Sequence, residues 1–247
     1  MTAPLFFVAA DRLAGAASGS MIVLDGPEGR HGATVKRIGV GELVLLADGA
    51  GHRAEAVVES VGPGELHLRV RSVSQDPQPD PRFVLVQALA KGDRDEQAIE
   101  SATELGVDEV VPWQAERSVV IWRGERAARS LRKWESIVLA AVKQSRRTRI
   151  PLVSDLANHQ GVLRRIEEAT LAFVLHEDAE RSLAAVALPP TGDVLVIVGP
   201  EGGITAAELS TFVAAGAVPV RLGSNILRAS SAGPAALAVM SAAGRWR

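Results

Sequence analysis

From residue 83 onward, short and almost uninterrupted apolar runs alternate with longer amphipathic stretches. FVLVQAL (83–89), LAFVLH (171–176) and VLVIV (194–198) have too few polar residues for one face to meet solvent, which is typical of strands buried on both sides. Strands are predicted at 83–89, 108–112, 171–176, 194–198 and 218–222, and helices at 93–105, 125–145, 160–169, 206–215 and 231–243. Strands and helices in this order predict an α/β fold whose parallel sheet is covered by helices on both faces.

The first 74 residues have a different pattern, in which short β-rich segments follow one another between turns. Strands are predicted at 5–9, 21–25, 42–47, 52–61 and 65–74, with a short helix at 29–38, which together indicate a small β-barrel or sandwich. QDPQPDPR (75–82) holds three prolines in eight residues and can continue neither a strand nor a helix. We therefore predict a β-domain over 1–74, a linker over 75–82 and the α/β domain over 83–247.

Several kinds of chemistry can be set aside from the composition. The chain has no cysteine, which rules out disulfides, thiolate metal sites and a cysteine nucleophile. No GxGxxG, GxxxxGK[ST] or GxSxG motif occurs, and the five histidines lack the spacing of metal ligands. No segment has the pattern of a signal peptide or a membrane span, so we expect a cytoplasmic protein that binds neither metal nor membrane.

The charge is unevenly distributed along the chain. Residues 117–149 contain ten basic and two acidic residues, a local charge of +8 in a chain whose net charge is −2. Within the helix predicted there, Leu131, Trp134, Val138 and Ala141 form an apolar stripe, while a basic face carries Arg126, Arg129 and Lys133. Such a block attracts phosphate groups, although a solvated helix face would have the same composition.

The segment VGPEGGIT (198–205) follows the strand predicted at 194–198. Glycine lets the backbone adopt unusual φ values and lets a ligand approach main-chain groups directly. Thr205 and Glu208 have the spacing of a capping box for the next helix, with Gly216 as its C′ residue. We predict a ligand site here over a simple tight loop. The first turn consists of Gly199, Pro200, Glu201, Gly202, Gly203 and Ile204.

The segment RLGSNILRASSAG (221–233) follows the strand predicted at 218–222. Ser230 and Ser231 are suitable caps for the last helix, so a capped loop explains this segment as well as a ligand site does. Ligands in open parallel sheets bind beyond the carboxyl ends of the strands, where this second turn and the first should meet. The second turn covers residues 222–227; its candidate ligand contacts are Leu222, Gly223, Asn225, Ile226 and Leu227.

VGPEGGIT followed about twenty residues later by LGSNILR resembles the SPOUT class of methyltransferases, and more closely the bacterial small-subunit ribosomal RNA uridine-N3 methyltransferase family. ALAKGDRDEQAIESATELGV (88–107), PWQAERS (112–118) and KWESIVLAAVKQSRR (133–147) match that family's pattern in order. HGATVKR (31–37) resembles a segment of its N-terminal PUA-like domain. The resemblance covers nearly the whole chain. It departs at 229–232, where this chain has Ala-Ser-Ser-Ala and the family has Thr-Glu-Thr-Ala or a serine variant, so a catalytic role for Ala229 and Ser230 is not expected.

This resemblance implies a SPOUT-type parallel sheet with a C-terminal trefoil knot, preceded by a PUA-like β-barrel. It also implies that S-adenosyl-L-methionine is the cofactor, with adenine held by main-chain groups of the two turns and His176 beside them. Arg228 is the candidate for stabilising a uracil anion. Glu201 is either the proton acceptor or an acid that holds its own loop.

Ribosomal RNA or the small ribosomal subunit is the implied partner, and a homodimer joined through the C-terminal helix is the implied assembly. The basic residues predicted to contact RNA are Arg30, Lys36, Arg37, Lys91, Arg117, Arg126, Arg129, Lys133, Arg146 and Arg147. Two other functions stay open at this point. One is a non-catalytic RNA-binding or ribosome-assembly protein, and the other is a SPOUT methyltransferase acting on another RNA position.

Overall fold

The structure is a computed structural model that describes residues 3–246. The predicted domain ranges also include residues 1, 2 and 247, which lie outside the described part. By their contacts the described residues form two compact units, 3–78 with 142–150 and 79–141 with 151–246. No helix within 3–246 combines the length and apolarity needed to cross a bilayer.

The first unit is a five-stranded sheet in the order β1-β3-β4-β5-β2, antiparallel except for the β1–β3 pair. Buried residues alternate with less buried ones along β4, which gives the unit one apolar core that includes Phe6, Leu46 and Leu68. Its elements are β1 (Leu5–Phe7), α1 (Ala10–Leu13), β2 (Met21–Leu24), α2 (Gly26–Arg30), β3 (Leu43–Ala47), β4 (His52–Gly62) and β5 (Glu65–Gln75).

The prediction of a single helix at 29–38 was wrong. The helix α2 begins three residues earlier, because Pro27 is accommodated in its first turn, where its missing N–H has no partner to lose. It continues as a π-helical turn over His31–Val35, and Arg37 follows with φ of 53°. Residues 36–38 are therefore outside the helix.

The second unit is a six-stranded sheet in the order β11-β9-β10-β6-β7-β8, and every pair in it is parallel. The predicted α/β class is thereby confirmed. Its strands are β6 (Arg82–Ala88), β7 (Glu109–Trp113), β8 (Leu152–Val153), β9 (Leu171–Leu175), β10 (Asp193–Val198) and β11 (Val218–Val220). Its helices are α3 (Arg94–Glu104), α4 (Gly124–Ser145), α5 (His159–Glu168), α6 (Ala206–Ala214) and α7 (Ala229–Ala243); from residue 142 onward α4 clusters with the first unit.

The helix α4 buries three of the four residues of its predicted apolar stripe. Trp134, Val138 and Ala141 of α4 are buried, whereas Leu131 is only partly covered. The helix α7 packs against α3, β6 and β10, and a Cβ on Gly233 would come within 2.9 Å of Leu85 on β6. This close approach fixes α7 beside the strands that lead into the candidate site. The trefoil knot stays a prediction of the resemblance.

The second unit contains one strand that was not predicted and one that is shorter than predicted. The two-residue strand β8 was not predicted, because so short an element has no periodicity of its own. The strand predicted at 218–222 ends at Val220, because from Arg221 onward the chain pairs with residues 181–183 instead of with β9. Leu222 therefore belongs to the turn that follows β11.

Candidate functional site

The two predicted turns meet at one cavity. The strands β10 and β11 flank β9, and the segments that follow all three line a cavity of about 580 Å³ at the carboxyl edge of the sheet. A site at this edge is expected for an open parallel sheet. The cavity lining includes all of the predicted cofactor contacts: His176, Gly199, Pro200, Glu201, Gly202, Gly203, Ile204, Leu222, Gly223, Asn225, Ile226 and Leu227.

The first turn needs its glycines for two different reasons. A Cβ on Gly199 would lie 2.7 Å from Cγ1 of Ile204, so the chain can fold back on itself only without a side chain there. Gly203 has φ of +73°, and its N–H donates to the carbonyl of Pro200 at 2.9 Å. The turn is therefore narrow, with its main chain along the cavity.

A network of acidic side chains lies behind the first turn. Thr205 and Glu208 form the predicted capping box at the start of α6, and Gly216 occupies the C′ position at its end, with φ of +108°. The buried carboxylate of Glu208 also accepts the N–H of Glu116 at 2.8 Å. In turn, the Thr205 hydroxyl lies 3.0 Å from Oε2 of Glu116. The segment 112–118 thus supports the turn from behind.

Glu201 is held at the cavity by two donors that reach the same carboxylate oxygen. Oε1 of Glu201 accepts the N–H of Lys91 at 3.0 Å and the guanidinium of Arg94 at 2.9 Å. Burial acts to raise the pKa of Glu201, but hydrogen bonds from its own N–H, from Lys91 and from Arg94 outweigh that effect and lower it. The carboxyl is thus a weak base. Arg94 lines the cavity and was absent from the predicted site.

Arg117 also contacts the first turn. Its guanidinium donates to the carbonyl of Gly202 at 3.0 Å, and a Cβ on Gly202 would come within 3.1 Å of the Arg117 Cβ. The neighbouring Ser118 donates to the carbonyl of Leu89, beyond the end of β6. Two segments that the sequence analysis assigned to RNA, around Lys91 and Arg117, therefore touch the first turn.

The second turn is far more open. Residues 223–228 are exposed, and Ile226 keeps 80% of its surface in solvent although it lines the cavity. Gly223 has φ of +155°, and a Cβ there would meet nothing within 4 Å. His176 follows β9 directly and lines the cavity, and its N–H donates to the carbonyl of Val220 at 3.0 Å.

The expected capping of α7 by Ser230 or Ser231 was wrong. The helix begins at Ala229, so both serines already lie in its first turn. Arg228 is the N-cap residue; its carbonyl accepts the N–H groups of Ser231 and Ala232, at 2.9 and 3.0 Å, and no side chain caps the helix. Buried Ala229 and Ala232 line the cavity, so packing there, with the extended backbone of Arg228, sets the start of α7.

The predicted RNA contacts are mostly exposed. In the first unit these are Arg30, Lys36, Arg37 and Arg146, with Arg147 partly covered. In the second unit Arg126 and Arg129 are exposed on α4, whereas Lys133 pairs with Glu96 of α3. Within residues 3–246 no group of three or more histidine, aspartate or glutamate side chains has the arrangement of a metal site.

Comparison with known protein families assigns this arrangement to a class. The family model described as an RNA methyltransferase domain matches residues 77–241, and the model of an RNA methyltransferase PUA domain matches residues 24–71. The parallel sheet with its two turns thus corresponds to the first family and the β-rich unit to the second. The predicted PUA-like N-terminal domain is confirmed.

Individual relatives identify one family within this class of RNA methyltransferases. A ribosomal RNA small subunit methyltransferase E from Mycobacterium bovis is 43% identical over 251 residues, which cover all of this chain and 94% of the relative. A solved methyltransferase E from Neisseria gonorrhoeae, bound to S-adenosyl methionine, is 27% identical with a TM-score of 0.84 over 98% of both chains. A putative methyltransferase from Legionella pneumophila, also solved with this cofactor, is 28% identical, with the same TM-score and coverage. This chain belongs to the ribosomal RNA small subunit methyltransferase E family.

Proposed function

We propose that this protein transfers a methyl group from S-adenosylmethionine to N3 of a uridine in the RNA of the small ribosomal subunit. The observation that carries the proposal is the meeting of two glycine-containing turns, far apart in sequence, around one cavity at the carboxyl edge of a parallel sheet. The cofactor bound in the Neisseria and Legionella relatives supports it. The uridine and the N3 position rest on the resemblance of the motifs.

The cavity fits an adenosine with a charged tail. Its volume lies within the range of small-molecule sites, and main-chain groups of both turns provide donors and acceptors that can recognise a neutral base. Ile204, Leu222 and Leu227 add apolar wall. Both signs of charge that a sulfonium and an amino-acid end require are present in Arg94, Arg117, Glu177, Glu201, Arg221 and Arg228.

When bound, the cofactor supplies an electrophilic methyl group, and the chain has to orient the uracil and favour loss of the N3 proton. Arg228 suits the second task, since its backbone is fixed at the start of α7 and it forms no ion pair with another residue of 3–246. A cation held at the cavity stabilises negative charge as it develops on the uracil. Orientation of the two reactants in line lowers the barrier further.

Glu201 has a holding role in this proposal. Its lowered pKa and its two donors leave little tendency to take a proton, so the proton acceptor is another group or solvent. The departure at 229–232 is compatible with this mechanism, because Ala229 contributes only buried wall to the cavity. No step requires a hydroxyl or carboxylate at Ala229 or Ser230.

RNA binds, in this proposal, through the exposed arginines of α4 and the basic residues of the first unit, while Lys133 contributes less because Glu96 already pairs with it. The protein works in the cytoplasm as a homodimer joined through α7, whose partly exposed alanines, Ala235 and Ala238, allow close helix packing.

Mass spectrometry of digested small-subunit RNA tests the function. RNA from cells without the gene should lack one 3-methyluridine, and the purified protein with S-adenosylmethionine should restore it on small subunits. Loss of a 2′-O-methyl group or of a methylated guanosine would contradict the N3 assignment. If titration of the protein with S-adenosylmethionine released no heat and left no other sign of binding, a non-catalytic RNA-binding role would replace the enzymatic one.

A further inference from the structure

Two arginines from separate segments hold the first turn. Arg94, at the start of α3, reaches it through the side chain of Glu201, and Arg117, after β7, reaches it through the carbonyl of Gly202. The Arg94 and Glu201 side chains are only 42% and 27% exposed. Their contacts fix two consecutive residues of the turn from outside it.

The turn needs such support because its own backbone is loosely constrained. Three of its residues, at 199, 202 and 203, are glycines, which lose more conformational freedom on ordering than any other residue. Within residues 200–203 a single main-chain hydrogen bond, from Gly203 to Pro200, is present among the described contacts. A ligand that binds to main-chain groups must order them unless other contacts have already done so.

Arg94 is suited to this task by geometry. Its guanidinium and the N–H of Lys91 converge on one oxygen of Glu201, so two donors, one before α3 and one at its first residue, hold the carboxylate through that oxygen. A charge-assisted hydrogen bond is stronger than a neutral one, and the planar guanidinium restricts the direction in which its partner can lie. The link joins residues more than 100 positions apart in the chain.

We propose that Arg94, acting through Glu201, and Arg117, acting through Gly202, are positioning residues that preorganise the first turn for the adenosine part of the cofactor. The inference rests on the proposed function, since it assumes that the turn binds adenosine. It gives Arg117 a role independent of RNA and gives Arg94 a role that the sequence did not indicate.

The competing explanation is that Arg94 binds the carboxylate at the methionine end of the cofactor directly. 5′-Methylthioadenosine separates the two explanations, because it keeps the adenosine and lacks the amino-acid end. A positioning role predicts that Arg94→Met weakens binding of this compound and of S-adenosylmethionine by the same factor, about three- to tenfold. Direct binding predicts a loss for S-adenosylmethionine alone.

The experiment measures the affinity of the full-length protein for both compounds by calorimetry, without RNA. Arg94→Met and Arg117→Met should each weaken both compounds, and Arg94→Lys should recover much of the loss because it keeps one charged donor. The double variant Arg94→Met with Glu201→Met should bind no more weakly than Glu201→Met alone, since either change by itself removes the hydrogen bond between the two side chains. Arg164→Met, which removes an exposed arginine of α5 outside the cavity, is the matched control and should change neither affinity.

Unchanged binding of 5′-methylthioadenosine in Arg94→Met and Arg117→Met would overturn the inference and leave the proposed function intact. Additive losses in the double variant would overturn the action of Arg94 through Glu201. A fall in Tm of more than about 3 °C in Arg94→Met, with no recovery by lysine, would reduce its role to general stability. If the unaltered protein bound neither compound, the proposed function would fall and this inference with it.

Discussion

The two turns that line the cavity are held in opposite ways. The first has a capping box at its end, a buried glutamate that contacts the segment before Arg117, and two arginines bonded to it. The second has no side-chain cap, and most of its residues, including Ile226, are exposed. The first turn (199–204) is therefore a fixed wall of the cavity, formed before any ligand arrives. The second turn (222–227) is an open wall, which keeps apolar surface in water that a ligand could cover. In such a site the first turn is preorganised for the ligand, and the second turn supplies the apolar surface that becomes buried on binding.

The most severe test of the fixed wall is Gly203→Val. A β-branched residue at φ of +73° is strongly disfavoured, so the turn must change its shape. We expect the affinity for S-adenosylmethionine to fall by about a hundredfold or more, while the protein stays folded, because strain at one residue costs roughly 1–3 kcal/mol.

Gly216→Val is the matched control for that change. Gly216 also has a positive φ, of +108°, but lies beyond α6 and outside the cavity lining. It should lose comparable stability and keep its affinity for the cofactor, as measured by denaturation and calorimetry. Equal affinities in the two variants would mean that the first turn does not shape the site.

Asp95 is a buried carboxyl beside the segment that holds Glu201, and keeping it ionised there costs stability. This aspartate, 5% exposed, accepts the N–H of Ala90, next to the Lys91 N–H that holds Glu201. Burial raises the pKa of Asp95 from 3.8 to about 6, although hydrogen bonds from Ala90 and Glu96 act to lower it. Because the folded state binds this proton more tightly than the unfolded state, its contribution to stability is largest at low pH and is lost as pH rises from about 4 to above 6.

Asp95→Asn should remove that pH dependence. Between pH 4.5 and 7.5 the titration of Asp95 lowers the free energy of unfolding by about 2 kcal/mol, and the asparagine variant should lack this decline. Glu100→Gln, which removes an exposed charge from the same helix, should keep the decline seen in the unaltered protein. Urea denaturation at several pH values measures the difference, and parallel curves for Asp95→Asn and the unaltered protein would contradict the raised pKa.

The contrast between the walls also shows what the sequence can and cannot predict. Apolar runs and helical spacing predicted the parallel sheet, and the ends of the predicted strands then indicated where both turns lie. Both predictions depend only on residues that are close to one another in the sequence. The capping box was predictable because Thr205 and Glu208 are three residues apart. The link from Arg94 to Glu201 was not, because it depends on which strands become neighbours. Ser230 and Ser231 were assigned wrongly because buried packing at Ala229, rather than a serine hydroxyl, sets the start of α7.

Thr205→Ala tests the cap that ends the first turn. Loss of an N-cap side chain costs about 1–2 kcal/mol of unfolding free energy, and here it also removes the contact with Glu116. Ser231→Ala is the counterpart at the second turn and should change stability by less than about 0.5 kcal/mol, because no side chain caps α7. Chemical denaturation compares the two. Similar losses of unfolding free energy in the two variants would mean that a side-chain cap stabilises both turns equally.

Ile226→Ser tests the open wall and has the smallest expected effect. Since this side chain is 80% exposed, the free energy of unfolding should change by no more than about 0.5 kcal/mol. Cofactor affinity should still fall about three- to fivefold, because covering part of an isoleucine side chain contributes about 1 kcal/mol to binding. Val213→Ser, at a 45% exposed position of α6 outside the cavity, should leave the affinity unchanged. An unchanged affinity in Ile226→Ser would mean that the bound cofactor does not cover Ile226 and that the second turn stays open around this side chain.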